Sequence, residues 1–325
     1  MNLLNSNTMK RNYYPDFALG TWSWGTGMFG GDHVFGNNIA EEQLKDVFDT
    51  AMSEGLNLWD TAFVYAMGGS EKLVGKFASE YDREKIFLST KFTPQLARMF
   101  GNSVEKMCDN SLKLLKTDYI DVYWIHNPAD VKRWTPGLIP LLKSGKVKSV
   151  GVSNHNIEEI KLANEILGEE GFKVSAVQNH YSLLYRSSEK GGVLDYCKEN
   201  DIQFWAYMVL EQGALSGKYD TSHPLPEKSD RGKMYNPILP QLEKLIFLLK
   251  KIGESHGSYS VSQVAEAWAI NKGTIPIIGV TKPSYIDDAI GAASLVLTTE
   301  EMTLIEQTAE EANVDTKGAW EHSME

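Results

Sequence analysis

The chain has 325 residues, 42% of them hydrophobic and 23% charged, which excludes disordered, collagen-like and low-complexity proteins. A formal charge of −11 sets the surface against phosphate backbones and anionic lipid, so neither nucleic acid nor a membrane is an expected partner. The start, MNLLNSNTMK, has no signal-peptide pattern, and Cys108 and Cys197 form neither a Cys-x-x-Cys pair nor a Cys/His cluster, so a cytoplasmic protein without disulfides or a metal site is expected.

Aliphatic and β-branched runs predict eight strands: Phe17–Leu19, Leu56–Trp59, Ile86–Ser89, Ile120–Ile125, Val147–Val152, Val174–Val177, Ile202–Ala206 and Thr274–Ile278. Their nearly continuous apolar character is that of strands covered on both faces, and the segments between them have helical periodicity. Leu44, Val47, Phe48 and Ala51 form one apolar stripe after the first strand, and Ile157, Ile160, Ala163 and Leu167 form another after the fifth. Eight strand–helix units predict an α/β fold, a closed (β/α)8 TIM barrel forming a single domain over 1–325, rather than two open sheets. Loop insertions are expected at 25–38, 127–134 and 213–240. The last is rich in Pro, Gly and charge, follows the seventh strand, and reads as a lid on the face where the strands end. Leu242, Leu245, Ile246 and Leu249 predict a helix after it, and Val261, Val264, Ala265 and Trp268 a second. A last helix, Glu300–Ala312, leads to a tail, 313–325, with little to anchor it.

The residues that follow the strands are unusually polar. Asp60, Thr61 and Tyr65 follow the second, Lys91 the third, His126 and Asn127 the fourth, and Ser153 and Asn154 the fifth. Singly, such residues cap helices or pack in cores. Together they bring an acid, a phenol, an amine and an imidazole to one rim, which capping does not explain.

The block Gly55-Leu-Asn-Leu-Trp-Asp60-Thr-Ala-Phe-Val-Tyr65-Ala-Met-Gly-Gly-Ser70-Glu71 resembles the G-x-N-x-x-D-T-A-x-x-Y-G-x-G-x-S-E motif of the aldo-keto reductase superfamily, with Ala66 where Gly is usual. Leu19-Gly20-Thr21, Ser89-Thr90-Lys91, the segment 151–155 and the segment 213–219 extend the resemblance over nearly the whole chain. It implies an NAD(P)H-dependent oxidoreductase that reduces an aldehyde or ketone to an alcohol, or the reverse, with a catalytic tetrad of Asp60, Tyr65, Lys91 and His126. The chemistry is self-consistent: Tyr65 donates the proton, Lys91 favours the phenolate, Asp60 keeps Lys91 charged, and His126 orients the carbonyl oxygen. A dinucleotide-binding regulatory or redox-sensing subunit with slow turnover is the alternative.

The resemblance further implies NADP as cofactor, with NAD possible. Ser153, Asn154 and Gln178 match positions that hold the nicotinamide carboxamide, and Tyr207 matches an aromatic that stacks on its ring. Leu210, Gly213, Ser216 and Lys218 are candidates for the pyrophosphate, and Thr21 joins the cofactor-binding set. Gly279, Lys282, Tyr285 and Asp288 lie where relatives hold the adenosine. Tyr285 stands at an Arg or Gln position and Ala289 at an Asn, which leaves Lys282, with Arg231, as the expected partner of a 2′-phosphate. The partner is a small-molecule carbonyl or alcohol substrate. Trp24 and Phe29, beside and within the first insertion, are the expected substrate contacts. Trp124, by alternation from His126, should point into the barrel.

Overall fold

The computed structural model describes residues 16–322 and 324. Eight parallel strands close in sequence order: β1 (Ala18–Gly20), β2 (Leu58–Asp60), β3 (Phe87–Phe92), β4 (Ile120–Ile125), β5 (Val147–Ser153), β6 (Ala176–His180), β7 (Gln203–Tyr207) and β8 (Ile275–Gly279). Closure is made by β8 on β1, with Ala18 opposite Ile277 and Gly20 opposite Gly279. The expected single-domain (β/α)8 barrel is therefore present. Its strands run further toward the active rim than apolarity alone predicts. Lys91, Ser153 and Gln178 are paired rungs of the ladder, because backbone pairing is indifferent to a polar side chain that finds its own partner.

Ala18, Leu58, Val122, Trp124, Ala176, Trp205 and Ile275 fill the barrel interior. Trp124 points inward, as its alternation predicts, and meets Trp205 edge-on at 5.0 Å. The indole lies so close to β5 that a methyl group on Gly151 would come within 2.3 Å of it. Outside the barrel, the helix Glu41–Ser53 buries Leu44, Val47, Phe48 and Ala51, and Phe48 stacks on Trp59 at 4.2 Å. The helix Ile157–Gly168 buries Ile160, Ala163 and Leu167, and starts with a capping box between Asn156 and Glu159. Helices Leu239–Ser255, Val261–Asn271 and Thr299–Glu311 occupy the positions predicted after the third insertion.

Two expectations need correction. The segment 213–240 is not a bare loop: it contains the helix Asp230–Tyr235, capped by Ser229, and buries Leu225 and Tyr235 beneath it. It also rests on the first insertion, where Gly36 packs against Pro226 and Ser229 and the Arg231 guanidinium lies 5.7 Å from the Phe35 ring. The tail is anchored, with Thr316, Glu321 and Met324 all buried. Its anchors are mostly polar, so no apolar periodicity announced them. Among the described residues, no helix is long and apolar enough to cross a membrane.

Candidate active site

Three strand ends, those of β2, β3 and β4, bring Asp60, Tyr65, Lys91 and His126 together. Lys91 is fully buried at the end of β3 and its Nζ donates to Asp60 Oδ2 at 2.6 Å, to the Thr61 carbonyl at 2.8 Å and to Tyr65 Oη at 3.4 Å. Three acceptors match the three protons of an ammonium, so the buried amine is held charged. Burial works against that charge, but Asp60 and then Tyr65 outweigh it and hold the Lys91 pKa above its ordinary value.

Asp60 is itself fixed from behind. Its Oδ1 accepts from Ser89 Oγ at 2.7 Å and from Gln178 Nε2 at 3.2 Å, and Ser89 accepts the Trp124 indole N–H at 2.7 Å. Thr21 donates to the Asp60 carbonyl at 3.1 Å, which ties the end of β1 to that of β2. Ser70 of the motif block bridges the Thr21 and Thr61 hydroxyls at 2.8 and 2.9 Å. Its neighbour Glu71 accepts from Thr90 at 2.6 Å, and burial lifts that carboxyl to about 7.

Tyr65 is half-buried, and burial raises its pKa despite the opposing pull of Lys91. The phenol thus keeps its proton through neutral pH, while Lys91 favours the phenolate as the sequence suggests. Tyr65 is followed by Ala66 and Met67 at φ of 51° and 49°. The left-handed backbone at Ala66 explains physically why glycine suits that position. His126 is pushed well below the ordinary histidine value, first by burial and then by Lys91, so its ring is neutral. Its Nδ1 lies 3.0 Å from Thr93 Oγ1, and the ring is 6.2 Å from that of Tyr65.

Residues matched to nicotinamide binding join this cluster directly. Asn154, at a φ of 63°, donates through Nδ2 to the His126 carbonyl at 3.0 Å and to Ser153 Oγ at 3.2 Å. Tyr207 Oη shares its proton between Asn154 Oδ1 at 2.6 Å and Glu321 Oε1 at 2.7 Å, and its ring stacks on His180 at 5.5 Å. Gln178 reaches Asp60, as described above. Leu210, Gly213 and Ser216 form one turn in which Ser216 Oγ donates to the Gly213 carbonyl at 2.6 Å. Arg231 donates to the Gln212 carbonyl at 3.0 Å, while its Nε is buried without a partner. A separate group forms after β8, where the Lys218 ammonium lies 4.2 Å from the Tyr285 ring and near enough to Asp288 to oppose the burial that raises that carboxyl. Gly279 and Lys282 are exposed beside it.

Trp24 is not a substrate contact. It is fully buried, donates its indole N–H to the Val280 carbonyl at 2.7 Å, and packs against Trp59 and Phe77 in the core. Phe29 does stand at the rim, 48% exposed. The ring against Tyr65 belongs instead to Trp22, stacked at 5.6 Å and 20°, with Phe35 and Trp320 meeting that indole edge-on. Sequence reasoning missed Trp320, Glu321, His180 and Glu211. Only His180 carried a signal, standing two residues beyond Gln178 and hence on the same side of β6. Among the described residues, no group of three or more His, Cys, Asp or Glu side chains is arranged to hold a metal ion.

Over 310 residues the chain is 31% identical to a chloroplastic pyridoxal reductase of Arabidopsis thaliana, covering 91% of this chain and 83% of that protein. Aldo-keto reductase str7 of Strobilurus tenacellus is 32% identical over 309 residues, 91% of this chain and 90% of its own. A glycerol dehydrogenase from Gluconobacter oxydans superposes with a TM-score of 0.76 at 25% identity, covering 91% of each chain. A Klebsiella pneumoniae aldo-keto reductase in complex with NADPH shares the fold, with a TM-score of 0.71 at 24% identity over 90% of each chain. The profile of the aldo/keto reductase family matches residues 17–310, and the chain belongs to that family of NAD(P)-dependent oxidoreductases.

Proposed function

We propose that the protein reduces an aldehyde or ketone to the alcohol with NADPH, and that Tyr65 delivers the proton to the carbonyl oxygen. The observation that carries this reading is the buried Lys91 ammonium, shared between Asp60 at 2.6 Å and the Tyr65 hydroxyl at 3.4 Å. Such a cation favours the phenolate over the phenol. It stabilises the phenolate left once the proton has gone, and so lowers the barrier to giving it up.

The residues present fit a dinucleotide. Tyr207, half-buried and stacked on His180, is the proposed platform for a nicotinamide ring. Ser153, Asn154 and Gln178 offer amide and hydroxyl partners for its carboxamide. Arg231 has a buried, unspent Nε donor, and with Lys218 and Lys282 it gathers positive charge in a chain of net charge −11, as a pyrophosphate and a 2′-phosphate require. Thr21, Leu210, Gly213, Ser216, Gly279, Tyr285 and Asp288 complete the proposed cofactor cleft. When bound, the nicotinamide supplies the hydride.

The chain's own groups do the rest. If Thr93 donates to Nδ1, 3.0 Å away, neutral His126 keeps its proton on Nε2 and offers it as a hydrogen bond to the carbonyl oxygen. Tyr65 gives its proton to the same oxygen as negative charge builds there. Lys91, held by Asp60, balances the phenolate until the hydroxyl is reprotonated from solvent. Phe29 at the rim is a further candidate substrate contact. The similar pyridoxal reductase brings aldehydes on heteroaromatic rings into the substrate panel.

The test is consumption of NADPH and of NADH by the purified protein with aldehydes and ketones, alongside Tyr65→Phe. Loss of a general acid is expected to lower kcat/KM by at least about 100-fold with cofactor affinity nearly unchanged. Turnover within a few-fold of wild type would remove Tyr65 from the role.

A further inference from the structure

The motif block ends in Glu71, a buried carboxyl that proton delivery by Tyr65 does not itself use. It stands with Ser70 in the first turn of the helix Gly69–Ala78, and the two side chains bear on Lys91 by separate routes. Ser70 meets the Thr61 hydroxyl at 2.9 Å, and the Thr61 carbonyl takes one of the Lys91 protons at 2.8 Å. Glu71 Oε1 accepts from Thr90 Oγ1 at 2.6 Å, and Thr90 is the residue before Lys91 on β3. Successive side chains of a strand point to opposite faces, so Thr90 turns to the outer helices while Lys91 turns to Asp60 and Tyr65. One helical turn thus holds both a partner of the buried ammonium and the strand that carries it.

The surroundings of Glu71 are poorly suited to a charge. Glu71, Thr90, Ser111 and Tyr123 are all fully buried. Ser111 faces the carboxyl from the helix Val104–Leu115, yet its hydroxyl, the Tyr123 hydroxyl and Glu71 Oε2 are each without a hydrogen-bond partner. A carboxylate bonded to one neutral hydroxyl is costly inside a protein, and burial lifts Glu71 to about 7 against the pull of Thr90, Ser111 and Lys91. The groups around it keep their charge state near that value. Lys91, from β3, is held above its ordinary value; Cys108, from the helix of Ser111, is pushed up to about 12; and Tyr123, from β4, lies well above the usual phenol range. Asp109 is paired with Lys146 at 2.6 Å, and Lys72 and Lys76 of the Glu71 helix are exposed. Within about one pH unit of its midpoint, Glu71 is therefore the member of this cluster whose charge changes.

We propose that Glu71 is a positioning residue for proton delivery by Tyr65: as the neutral acid it holds Thr90 and the end of β3, and its ionisation offsets part of the Lys91 charge that stabilises the phenolate. This role presupposes Tyr65 as the proton donor. Lys91 is among the groups that pull on the Glu71 carboxyl, so each charge is felt by the other. A negative Glu71 leaves less positive potential at the Tyr65 oxygen, makes the phenol a weaker acid and slows reduction. Glu71 acts through Lys91 and Thr90, not by contact with the carbonyl.

The experiment is the pH profile of kcat/KM for benzaldehyde at saturating NADPH, from about pH 6 to about pH 8.5, in wild type, Glu71→Gln, Thr90→Val and Tyr65→Phe. Wild type is expected to lose about threefold across this range, the scale of one charge acting at a distance on a proton transfer. Glu71→Gln keeps an acceptor for Thr90 but cannot ionise, and should remove the inflection. Thr90→Val deletes the donor that favours the carboxylate, and should move the inflection to higher pH. Infrared spectra give a readout independent of turnover: the carbonyl stretch of a protonated carboxyl should be present in wild type at about pH 6, fade by about pH 8, and be missing from Glu71→Gln. A wild type without that band, a flat wild-type profile, or an inflection that survives unchanged in Glu71→Gln overturns the proposal. So does a uniform loss of kcat/KM in Glu71→Gln with the inflection retained, which marks a merely structural residue. If Glu71→Gln loses its cooperative thermal transition, Thr90→Val decides: an inflection moved upward supports the proposal, and an unmoved one overturns it. Tyr65→Phe separates the two failures. If it abolishes reduction while Glu71→Gln keeps the wild-type profile, only the role of Glu71 falls; if it stays active, the reading of the site falls first.

Discussion

Trp124 donates its indole N–H to Ser89 Oγ at 2.7 Å, and the same hydroxyl gives its only proton to Asp60 Oδ1 at 2.7 Å. A core tryptophan thereby dictates the direction of a hydrogen bond at the rim. Ser89 cannot turn its proton elsewhere without leaving either the indole or the carboxylate unpartnered inside the barrel. Replacement of Trp124 by Phe fills most of the same space but deletes the donor. The expected result is a fall of about three- to tenfold in kcat with NADPH affinity within about twofold of wild type, checked by steady-state kinetics and cofactor titration.

Lys91 and Asp60 are a buried pair with exposures near zero, so removing either partner strands the other's charge. Lys91→Met is expected to destabilise the fold by about 3–5 kcal/mol as well as to abolish measurable reduction. In the double variant Lys91→Met/Asp60→Asn, most of that stability should return while activity does not. Urea unfolding of the two variants against wild type checks this, and equal stability of the single and double variants would count against the pairing.

A pH dependence follows from His180. Burial disfavours its charge, yet Glu211 and then Glu321 outweigh it and hold the pKa at about 9, against about 6.5 for an unperturbed ring. Tyr185 and Tyr207, stacked on the ring at 4.3 and 5.5 Å, are the other titratable groups against it. A raised folded-state pKa means that the stabilisation is complete below about 6.5 and is lost as pH rises through about 9. Glu71 and Glu266, lifted by burial to about 7 and about 8, push stability in the same direction over that range. The thermal midpoint of wild type should therefore fall between these pH values. The part due to the tail is the difference from Glu321→Gln, whose midpoint should fall less steeply.

Gly25 has a φ of 87°, and a methyl group there would stand 2.9 Å from the Ala66 Cβ, next to Tyr65. Gly25→Ala should destabilise by about 1–3 kcal/mol through backbone strain and overpacking together. Adding Ala66→Gly removes the collision but not the strained backbone at position 25, so the double variant should recover only part of the loss. Denaturation of the two single variants and the double measures this coupling, and strict additivity would show that the methyl groups do not meet.

The barrel and the four clustered polar residues were legible because both leave periodic traces. Apolar strands recur between amphipathic helices, and Asp60, Lys91 and His126 stand where those strands end. Trp24 misled because a tryptophan beside a glycine-rich loop reads as a rim residue; its indole reaches the Val280 carbonyl 256 positions away, a partner no local pattern reveals. The tail was illegible for a related reason. Thr316 and Glu321 are held by hydrogen bonds to β6 and to the turn after β7, and a polar residue that will be satisfied at long range looks like one left in water.

The pairing of β1 with β8 bears on how the chain emerges from the ribosome. β1 has only three residues, and its second edge meets Ile277, Ile278 and Gly279. Until those residues are available, two sheet edges and the apolar interior between them stand open to any other chain with a strand to offer. The seam that closes the barrel thus joins the most distant parts of the sheet.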